Sequence, residues 1–473
     1  MLSDAQINGL VTYLSGVVGE KYVTVSTFEK IKNALDPFPY TVDRGNLPHV
    51  IVMPETKEQI SKIMEYANNN KTPVFVRGSG TQLAGSSRPH VSGITINTRR
   101  MNKFWVIEED GYFEAEPGVR CGDIADFLQK KGYLLPILPG SKIIASLGGL
   151  ISNNTSGHVI DPSIGKLSDY VLGLEVVLPN GDIIETGTRG LRKPAGTDLT
   201  KFFVGGDGLL GVVTKIRMRL LPLLPQAYGI AVFKGLPPIA RGVKNMYLKK
   251  CPPPLFMEFM DENVTSTAYQ AKEMTPPPGA VILFVGIGQD KAEAEKKMGL
   301  VMDVFREENP IEAYPVTDLE EWKKIWGARE VIAPYLMNSL QGKLIAAEVV
   351  STLSRLEECM RDGANFNVGV PYLEELTNYF FGHIGALTMH PTFILPTTWD
   401  DEKMRRTVDE HFKKERQLNL KYNTCGGEWG QFSKRTPFFK QRYGDIAYGL
   451  VKNLKATFDP NNILNPGILE GYR

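Results

Sequence analysis

The sequence VRGSGTQLAGSS occupies residues 76–87 and directly follows a strand-like run, TPVFV. Its glycines let the backbone approach an anion closely, and its serine and threonine hydroxyls offer additional hydrogen-bond donors. A second stretch, LPGSKIIASLGGLISNNTSG at residues 138–157, repeats this chemistry. Each loop alone is a weak signal, but two of them in one region favour the binding of a large phosphorylated cofactor.

The segments around these loops alternate between helix and strand patterns. Thr56 and Gln59 have capping-box spacing, and apolar residues then recur at helical spacing as far as Ala67. Further on, VLGLEVVL and DIIETG flank turn residues at 179–182, which predicts a β-hairpin. We therefore predict a mixed α and β domain that extends to residue 224.

After residue 224, the strand-like runs GIAVF, LFMEFM and VILFVGIG alternate with long charged helices at 292–308, 318–335 and 401–417. This alternation predicts an antiparallel sheet that is backed by helices. The terminal FDPNNILNPG has the Asn and Pro content of a tail that lies over another surface. The predicted fold class is α+β, with domains at residues 1–224 and 225–425 and a C-terminal segment at 426–473.

The overall composition excludes several classes of function. The chain has 473 residues, with 54 Lys and Arg against 53 Asp and Glu, so it lacks the basic excess of a nucleic-acid-binding protein. No uncharged apolar run of about 18 residues is present, and Asp4 stands where a signal peptide needs a basic residue, so we expect a cytoplasmic protein. The cysteines form no CxxC pair, and electron chemistry would therefore need an organic cofactor.

One formal GxGxxG motif is formed by Gly206, Gly208 and Gly211. A Rossmann fingerprint needs a helix directly after the glycines, so that the helix N-terminus faces a pyrophosphate. Here the next residues are VVTKIRMRLL, which alternate and are β-branched. We therefore interpret the motif as a chance match that precedes a strand.

Five segments together resemble, in order and spacing, the FAD-linked oxidases of the vanillyl-alcohol oxidase type. They are RGSGTQLAG, PGSKIIASLGGLISNNTSG, DYVLGLEVVLPNGDII, DLTKFFVGGDGLLGVVTKI and FDPNNILNPG. Within this family the chain most resembles the branch of D-lactate dehydrogenase, D-2-hydroxyglutarate dehydrogenase and the flavin subunit of glycolate oxidase. The resemblance implies a PCMH-type FAD-binding domain, to which the C-terminal segment returns, and an antiparallel-sheet cap domain that bears the substrate site.

The same resemblance implies which residues contact FAD. Thr81 stands where covalent members of the family often have a linking histidine, so non-covalent FAD is implied. The implied contacts are Arg77, Gly78, Ser79, Gly80, Thr81, Gln82, Ser86, Pro139, Gly140, Ser146, Gly149, Asn153, Ser156, Gly157, Gly208, Gly211, Val212, Val213 and Asn465.

His383 and His390 are seven residues apart in GHIGALTMH, and Glu428 follows in GGEWG. On a helix the two rings would lie roughly 10 Å apart along the axis, too far to share an ion, so only a folded loop with a turn near Gly385 could bring them together. From spacing alone, a pair of loop histidines without a metal is the more common case. The resemblance implies instead that His383, His390 and Glu428 bind a divalent metal, with zinc, iron or manganese as candidates.

Trp429 departs from the pattern of this family, which has a histidine here as the base that removes the hydroxyl proton. An indole only donates hydrogen bonds and cannot replace that base. Ala386 lies where the family usually has a polar residue between the two histidines. His158, directly after NTSG, is the remaining histidine candidate for the base, and an exposed loop histidine is the alternative. Tyr379 and Tyr422 are further candidates.

Arg329 follows Trp326 in WKKIWGAREVIAP, as the substrate-carboxylate arginine of the family follows its own tryptophan. A guanidinium can bind a carboxylate through two parallel hydrogen bonds. The alternative is a surface arginine that pairs with Glu330 or Glu321. Lys343 is a second candidate anion contact, although lysines on loops are usually only solvated.

These features favour an FAD-dependent dehydrogenase that transfers hydride to flavin from a small hydroxylated, carboxylate-bearing substrate of the 2-hydroxy acid class. The acceptor of the electrons is then oxygen, a quinone or a partner protein, and the resemblance favours an electron-transfer flavoprotein or an iron–sulfur subunit. Two alternatives stay open. One is a flavoenzyme that acts on an aromatic or apolar substrate, and the other is a flavin electron-transfer subunit of a larger complex.

The substitution Trp429→His tests the argument from the missing base. A positioned general base typically contributes about 100- to 10,000-fold in rate, so we expect the native protein to oxidise D-lactate and glycolate poorly. The histidine variant should oxidise them faster and turn over the true substrate more slowly, as measured by anaerobic flavin reduction. Fast native oxidation of D-lactate that survives His158→Ala would show that no such base is needed.

Overall fold

The computed structural model describes residues 2–39, 44–137, 139–157, 166–191, 196–428, 430 and 435–470. The chain forms two compact units. We call the first the split unit, because it consists of residues 1–156, 166–222 and 427–473. The second, which we call the inserted unit, consists of residues 157–165 and 223–426.

The split unit contains two main sheets. Its described strands are β1 (Val23–Thr24), β2 (Val50–Val52), β3 (Val74–Arg77), β4 (Ile94–Asn97), β5 (Phe104–Ile107), β6 (Tyr112–Ala115), β7 (Tyr133–Leu134), β8 (Val171–Val177), β9 (Ile183–Gly187), β10 (Val212–Arg219) and β11 (Leu221–Pro222). The first sheet has the order β1-β2-β4-β3, with β2, β4 and β3 parallel, and the second has the antiparallel order β5-β6-β10-β8-β9. The predicted hairpin is confirmed as β8 and β9, with Gly181 at a φ of +93° in the turn.

Helices cover the first sheet and close its core. The described helices of the split unit are α1 (Asp4–Val18), α2 (Thr27–Ala34), α3 (Lys57–Asn69), α4 (Cys121–Lys130), α5 (Leu147–Asn153), α6 (Leu167–Tyr170), α7 (Thr200–Phe203) and α15 (Thr436–Phe458). The predicted amphipathic helix is α3, whose Thr56 side chain accepts a hydrogen bond from the Gln59 N–H at 3.3 Å. Its apolar face packs with α1 and with the strands in one buried cluster. Burial of each large apolar side chain there contributes about 1.5–3 kcal/mol.

The C-terminal tail of the split unit is held by a buried lysine. Lys455 Nζ donates hydrogen bonds to the carbonyl oxygens of Leu209 and Leu464, at 2.9 and 2.6 Å, and to Asp459 Oδ2 at 2.5 Å. Burial lowers the pKa of Lys455 below its usual range. The tail then extends the first sheet, because Val74 bonds to Ile463 and Asn465 through backbone hydrogen bonds of 2.7 and 2.8 Å. The last strand-like segment is therefore tied to β3, the strand that leads into the first glycine-rich loop.

The inserted unit is built on one antiparallel sheet. Its described strands are β12 (Gln226–Phe233), β13 (Phe256–Met260), β14 (Ala280–Ile287), β15 (Glu312–Val316), β16 (Gly342–Ala346), β17 (Val349–Val350), β18 (Tyr379–Gly382) and β19 (Thr388–Pro396). Their order is β15-β12-β14-β13-β18-β19-β16, and β17 also pairs with β19. The predicted antiparallel sheet and the α+β fold class are confirmed.

Helices accompany this sheet. They are α8 (Pro237–Leu248), α9 (Glu262–Gln270), α10 (Lys291–Arg306), α11 (Leu319–Glu330), α12 (Ile332–Ser339), α13 (Leu356–Ala364) and α14 (Asp401–Lys421). The helix predicted at 318–335 is divided at Val331, because Pro334 lacks the N–H that would continue the helical hydrogen bonds to Glu330. Among the described residues, no helix is both long and apolar enough to cross a bilayer.

The substitution Lys455→Met tests how strongly the tail is anchored. It leaves Asp459 as a buried carboxylate without its cation, which should lower the free energy of unfolding by about 3–5 kcal/mol. Lys452→Met is the matched control, because Lys452 is exposed on the same helix and its loss should change stability by about 0.5 kcal/mol or less. Urea unfolding of both variants measures the difference, and equal midpoints would contradict the anchoring role.

Candidate active site

The two glycine-rich stretches of the sequence lie together in the split unit. The first begins directly after β3, where a Cβ atom on Gly78 would lie only 2.1 Å from Ser146 Oγ in the second stretch. The backbone N–H of Ser79 donates a hydrogen bond to the same hydroxyl at 3.3 Å. Gly80 has a φ of +67°, and a Cβ atom there would collide with the guanidinium of Arg77 at 2.1 Å. The left-handed backbone therefore favours glycine at residue 80, and a side chain at residue 78 would have to displace the Ser146 hydroxyl.

Arg77 places a buried positive charge beside these glycines. Its side chain is 8% exposed, and its Nη2 donates to the carbonyl oxygen of Leu35 at 2.5 Å. Its Nη1 is buried without a hydrogen-bond partner among the residues that the structure describes. Burial lowers the pKa of the guanidinium below its usual range, and the nearby Asp36 carboxylate opposes this shift. A buried N–H donor next to two close-packed glycines fits a phosphate oxygen.

Gln82, in contrast, organises the loop itself. Its Oε1 accepts hydrogen bonds from the N–H groups of Ala84 and Ser86, at 2.6 and 3.2 Å, and its Nε2 donates to the Ser86 hydroxyl at 3.1 Å. The end of the loop is fixed by Arg88, which forms a buried ion pair with Asp36. This ion pair could not be predicted from the sequence, because its two members are separated by 52 residues.

The stretches that contain Asn153 and Gly208 meet at a second part of the split unit, where the N–H of Asp207 donates to the carbonyl oxygen of Ser152 at 2.9 Å. Asn465 Nδ2 donates to the carbonyl oxygens of Asp207 and Gly208, at 3.1 and 3.0 Å. Asn153, at the end of α5, donates to the carbonyl oxygen of Glu428 at 2.5 Å. Its Oδ1 is buried and has no hydrogen-bond partner within the described ranges, which leaves an acceptor for a ligand N–H.

The remaining predicted cofactor contacts are placed along the same elements. The predicted strand after the GxGxxG glycines is confirmed, since β10 begins at the residue after Gly211. Gly149 lies on α5, whereas Pro139 and Gly140 precede that helix and Ser156 and Gly157 follow it. Val212 and Val213 are buried at the start of β10, and Thr81 is partly exposed. Their contact with FAD stays a prediction.

In the inserted unit, one buried carboxylate joins two of the predicted site residues. Glu258 lies on β13 and is 0% exposed. Its Oε1 lies 2.5 Å from Nδ1 of His383, and its Oε2 accepts hydrogen bonds from Nε and Nη2 of Arg329, at 3.1 and 2.8 Å. The guanidinium of Arg329 also lies 4.6 Å from the ring centroid of Phe381. Glu258 was not predicted, although an acidic residue within the apolar strand LFMEFM was a visible signal.

The two histidines of the inserted unit are close in space. His383 follows β18 and His390 lies on β19, with ring centroids 5.2 Å apart and ligand nitrogens within 4.8 Å of each other. His390 Nδ1 lies 3.2 Å from the carbonyl oxygen of Ala347. The loop between the histidines folds in a turn over Ile384–Ala386, which includes Gly385, and this turn ends at Leu387 with a left-handed φ of +57°.

Arg329 is buried, so the alternative of a surface arginine that pairs with Glu330 or Glu321 is wrong. Glu330 instead accepts a hydrogen bond from Trp326 Nε1 at 2.9 Å. Lys343 is partly buried on β16, opposite Leu395 of β19. A role for Arg329 or Lys343 in binding a substrate anion stays a prediction.

The remaining candidates for the metal ligand and for the base lie at several other positions in the chain. Glu428 is buried in the C-terminal segment of the split unit. His158 and Trp429 lie outside the described residues. The Tyr422 hydroxyl donates to Asp362 at 2.6 Å, and burial together with this hydrogen bond raises the pKa of Tyr422, which makes it a poor base near neutral pH. Burial also raises the pKa of Tyr379.

Residues 48–187 match the family described as FAD binding domain, and residues 226–469 match the C-terminal domain of FAD linked oxidases. The chain belongs to the FAD-linked oxidases. It is therefore an FAD-dependent oxidoreductase, as the resemblance of its motifs implied.

Two relatives are similar to this FAD-linked oxidase over most of its length. The glycolate oxidase subunit GlcD of Bacillus subtilis is 29% identical over 437 residues, which cover 89% of each chain. The mitochondrial D-lactate dehydrogenase [cytochrome] of Arabidopsis thaliana is 28% identical, over 90% of this chain and 74% of the relative.

Solved structures confirm the fold. The structure of p-cresol methylhydroxylase matches with a TM-score of 0.82 and 20% identity, over 99% of this chain and 98% of the other. The 4-ethylphenol oxidase from Gulosibacter chungangensis matches with a TM-score of 0.79 and 16% identity, over the same shares of the two chains. At such identities the likeness concerns the fold, and it confirms the predicted PCMH-type fold of this oxidase.

Asp261 connects β13, the strand of the inserted unit that carries Glu258, with β18, the strand that His383 follows. It follows β13 directly and caps α9, where its carboxylate accepts hydrogen bonds from the N–H groups of Val264 and, on β18, Phe380, at 2.8 and 3.2 Å. Burial raises the pKa of this carboxyl group to about 7, although the two hydrogen bonds oppose the shift.

This raised pKa predicts a pH dependence of stability. Between the unfolded pKa of about 4 and the folded pKa of about 7, the folded state holds a proton that the unfolded state has lost, so the stability from this group falls as pH rises through that window. Asp261→Asn should make the urea midpoint of the inserted unit less dependent on pH between about 4 and 7. Asp290→Asn, at a cap of the same kind on α10, is the control, and an equal slope in wild type and Asp261→Asn would contradict the account.

Proposed function

We propose that this FAD-linked oxidase removes hydride from a small 2-hydroxy acid and transfers it to non-covalently bound FAD. The observation that carries the proposal is the cluster of Arg329, Glu258, His383 and His390 on the inserted unit. It combines a fixed cation, which can hold a carboxylate, with two close histidines. The relatives named as glycolate oxidase subunit and D-lactate dehydrogenase support the same substrate class.

The cradle of the split unit would hold the phosphates of FAD. Gly78 and Gly80 permit close approach of the backbone, and Arg77 supplies a buried cation with an available N–H group. Bound FAD supplies the acceptor for the hydride. Thr81 in place of a linking histidine supports non-covalent binding.

A divalent metal fits the two histidines of the inserted unit. Each ring has Nδ1 near an oxygen atom, of Glu258 for His383 and of Ala347 for His390, which is the arrangement typical of metal-bound histidines that coordinate through Nε2. In this proposal Glu428 is the third ligand, as the resemblance of the sequence motifs implies. Such a metal would lower the pKa of the substrate hydroxyl.

Arg329 can hold a substrate carboxylate while it also holds Glu258. A guanidinium has five N–H donors, and the described bonds to Glu258 use one on Nε and one on Nη2. The remaining donors would orient the substrate, and Lys343 is a second candidate cation. Proton removal from the hydroxyl group is assigned in this proposal to His158, since Trp429 occupies the position of the family histidine.

A second candidate function is the oxidation of an aromatic or apolar substrate. Glu258 compensates the charge of Arg329, and the ring of Phe381 covers the guanidinium. Leu387 and Ala386 add apolar groups near the histidines in the sequence. These features favour a substrate with an apolar side chain and reduce the need for a carboxylate. In either case we propose that a partner protein, such as an electron-transfer flavoprotein or an iron–sulfur subunit, receives the electrons.

Anaerobic mixing with a graded panel of substrates distinguishes these functions. The panel runs from glycolate and D-lactate to D-2-hydroxy acids with longer or aromatic side chains, and it includes aryl alcohols without a carboxylate. We expect flavin bleaching with at least one D-2-hydroxy acid and none with the matched alcohol. Bleaching by carboxylate-free alcohols alone would establish the second function, and bleaching only by a reduced protein partner would indicate an electron-transfer subunit.

The variant Arg329→Lys provides the internal control of that panel. Lysine keeps the charge but loses the planar fork, so binding of a carboxylate substrate should weaken by about 1.5–3 kcal/mol. Arg306→Lys alters an exposed arginine on α10 and should leave the kinetics unchanged. Unchanged kinetics in Arg329→Lys would remove Arg329 from the substrate site.

A further inference from the structure

Glu258 uses its two oxygen atoms for two different partners. Oε2 accepts both hydrogen bonds from Arg329, and Oε1 lies 2.5 Å from Nδ1 of His383. All three side chains are buried, at 0%, 5% and 5% exposure for Glu258, Arg329 and His383. Water therefore does not exchange readily with these groups, and their hydrogen bonds define one another.

The backbone of the sheet explains this placement. Phe259 of β13 is opposite Gly382 of β18, so the same antiparallel register extended by one residue brings Glu258 opposite His383. Side chains that are directly opposite across an antiparallel pair lie within about 4.5–5.5 Å at Cβ. The register of β13 and β18 thus brings the residue that follows β18 next to Glu258.

The chemistry of Arg329 decides how Glu258 can act on the histidine. A guanidinium only donates hydrogen bonds, so the group facing it on residue 258 must be an acceptor. Two hydrogen bonds from a cation favour the ionised form of Glu258, which can then only accept at Oε1, so the ring donates from Nδ1. The lone pair of the neutral ring is consequently on Nε2.

We propose that Glu258 is a positioning residue that sets the tautomer of His383. Arg329 holds the carboxylate in place, and His383 is thereby left with its lone pair on Nε2, where it can bind a metal. The tautomer follows from contacts within the inserted unit. The meaning of this tautomer for catalysis rests on the proposed function, in which Nε2 binds the metal.

The variant Glu258→Gln distinguishes a positioning role from a purely structural one, because only a positioning role predicts that the tautomer of His383 reverses. The glutamine amide must turn its single oxygen toward Arg329, which places its NH₂ group against Nδ1 of His383. The ring is then forced to accept at Nδ1 and to carry its proton on Nε2. A residue that merely fills space would leave the tautomer as it was.

Nitrogen NMR of the full-length, FAD-loaded chain with labelled histidine measures the tautomer directly. The chain has six histidines, and His383→Gln identifies the signals of His383. After treatment with a chelator, the wild type should show a protonated Nδ1 and an unprotonated Nε2, and Glu258→Gln should show the reverse. A wild-type ring protonated on Nε2, or an unchanged pattern in Glu258→Gln, would overturn the inference.

Metal binding gives a second readout that is independent of turnover. Loss of a partner that orients a metal-bound histidine typically weakens metal affinity about 10- to 100-fold, and we expect this loss for Zn²⁺ in Glu258→Gln, measured by competition with a chelating dye. Glu114→Gln is the matched control, because Glu114 also accepts two hydrogen bonds from an arginine, Arg217 Nε at 2.9 Å and Nη2 at 2.7 Å, but in the split unit.

The two readouts separate the inference from the proposed function. If the tautomer reverses but the wild type binds no Zn²⁺, the metal site is wrong and the positioning role of Glu258 stands. If the wild type binds Zn²⁺ and Glu258→Gln binds it equally well with an unchanged tautomer, the positioning role is wrong and the metal site stands.

Discussion

The carboxylate of Glu258 is shielded from water, so its charge must be compensated by neighbouring groups of the protein. The compensation comes from Arg329 on a helix and His383 at the end of a strand. Removal of one partner from such a buried group typically costs about 3–5 kcal/mol, so the three side chains constrain each other strongly. The position of the two site residues predicted from the sequence, Arg329 and His383, therefore depends on a residue that lies between them.

The split unit also contains a buried charged side chain, which here is a cation, Arg77. Its glycine-rich loops pack so closely that side chains would collide at Gly78 and Gly80, and Arg77 places a buried cation beside them. The C-terminal tail reinforces this region, because it pairs with β3 and is fixed by Lys455. The phosphates of an anionic cofactor would balance the positive charge of Arg77. In the inserted unit, the two histidines would bind a metal.

Local patterns in the sequence predicted the local features well. The glycine- and hydroxyl-rich loops, the capping of α3 and the hairpin β8–β9 all depend on residues that are close in the chain. Pro334 also indicated that the helix is divided near Val331. The prediction followed the helical spacing of the apolar residues instead and extended one helix across this position.

Contacts between distant residues could not be predicted in the same way. Glu258 is 71 residues from Arg329 and 125 residues from His383, so their meeting depends on the strand register of β13 and β18 and on the packing of α11. The left-handed turn at Leu387 was hidden because glycine, at Gly385, is the residue that normally adopts this conformation. The sequence thus pointed to Arg329 and His383 as candidate site residues but not to Glu258, which contacts both of them.

Crystallography of the FAD-loaded protein soaked with Zn²⁺ tests this account most directly. An anomalous map at the zinc absorption edge should show a peak about 2.0–2.1 Å from Nε2 of both His383 and His390, with Glu258 still bonded to Nδ1 of His383 and to Arg329. A peak at Nδ1 of His383 with Glu258 displaced, or no peak at saturating Zn²⁺, would contradict the claim that the buried carboxylate orients a metal-binding histidine.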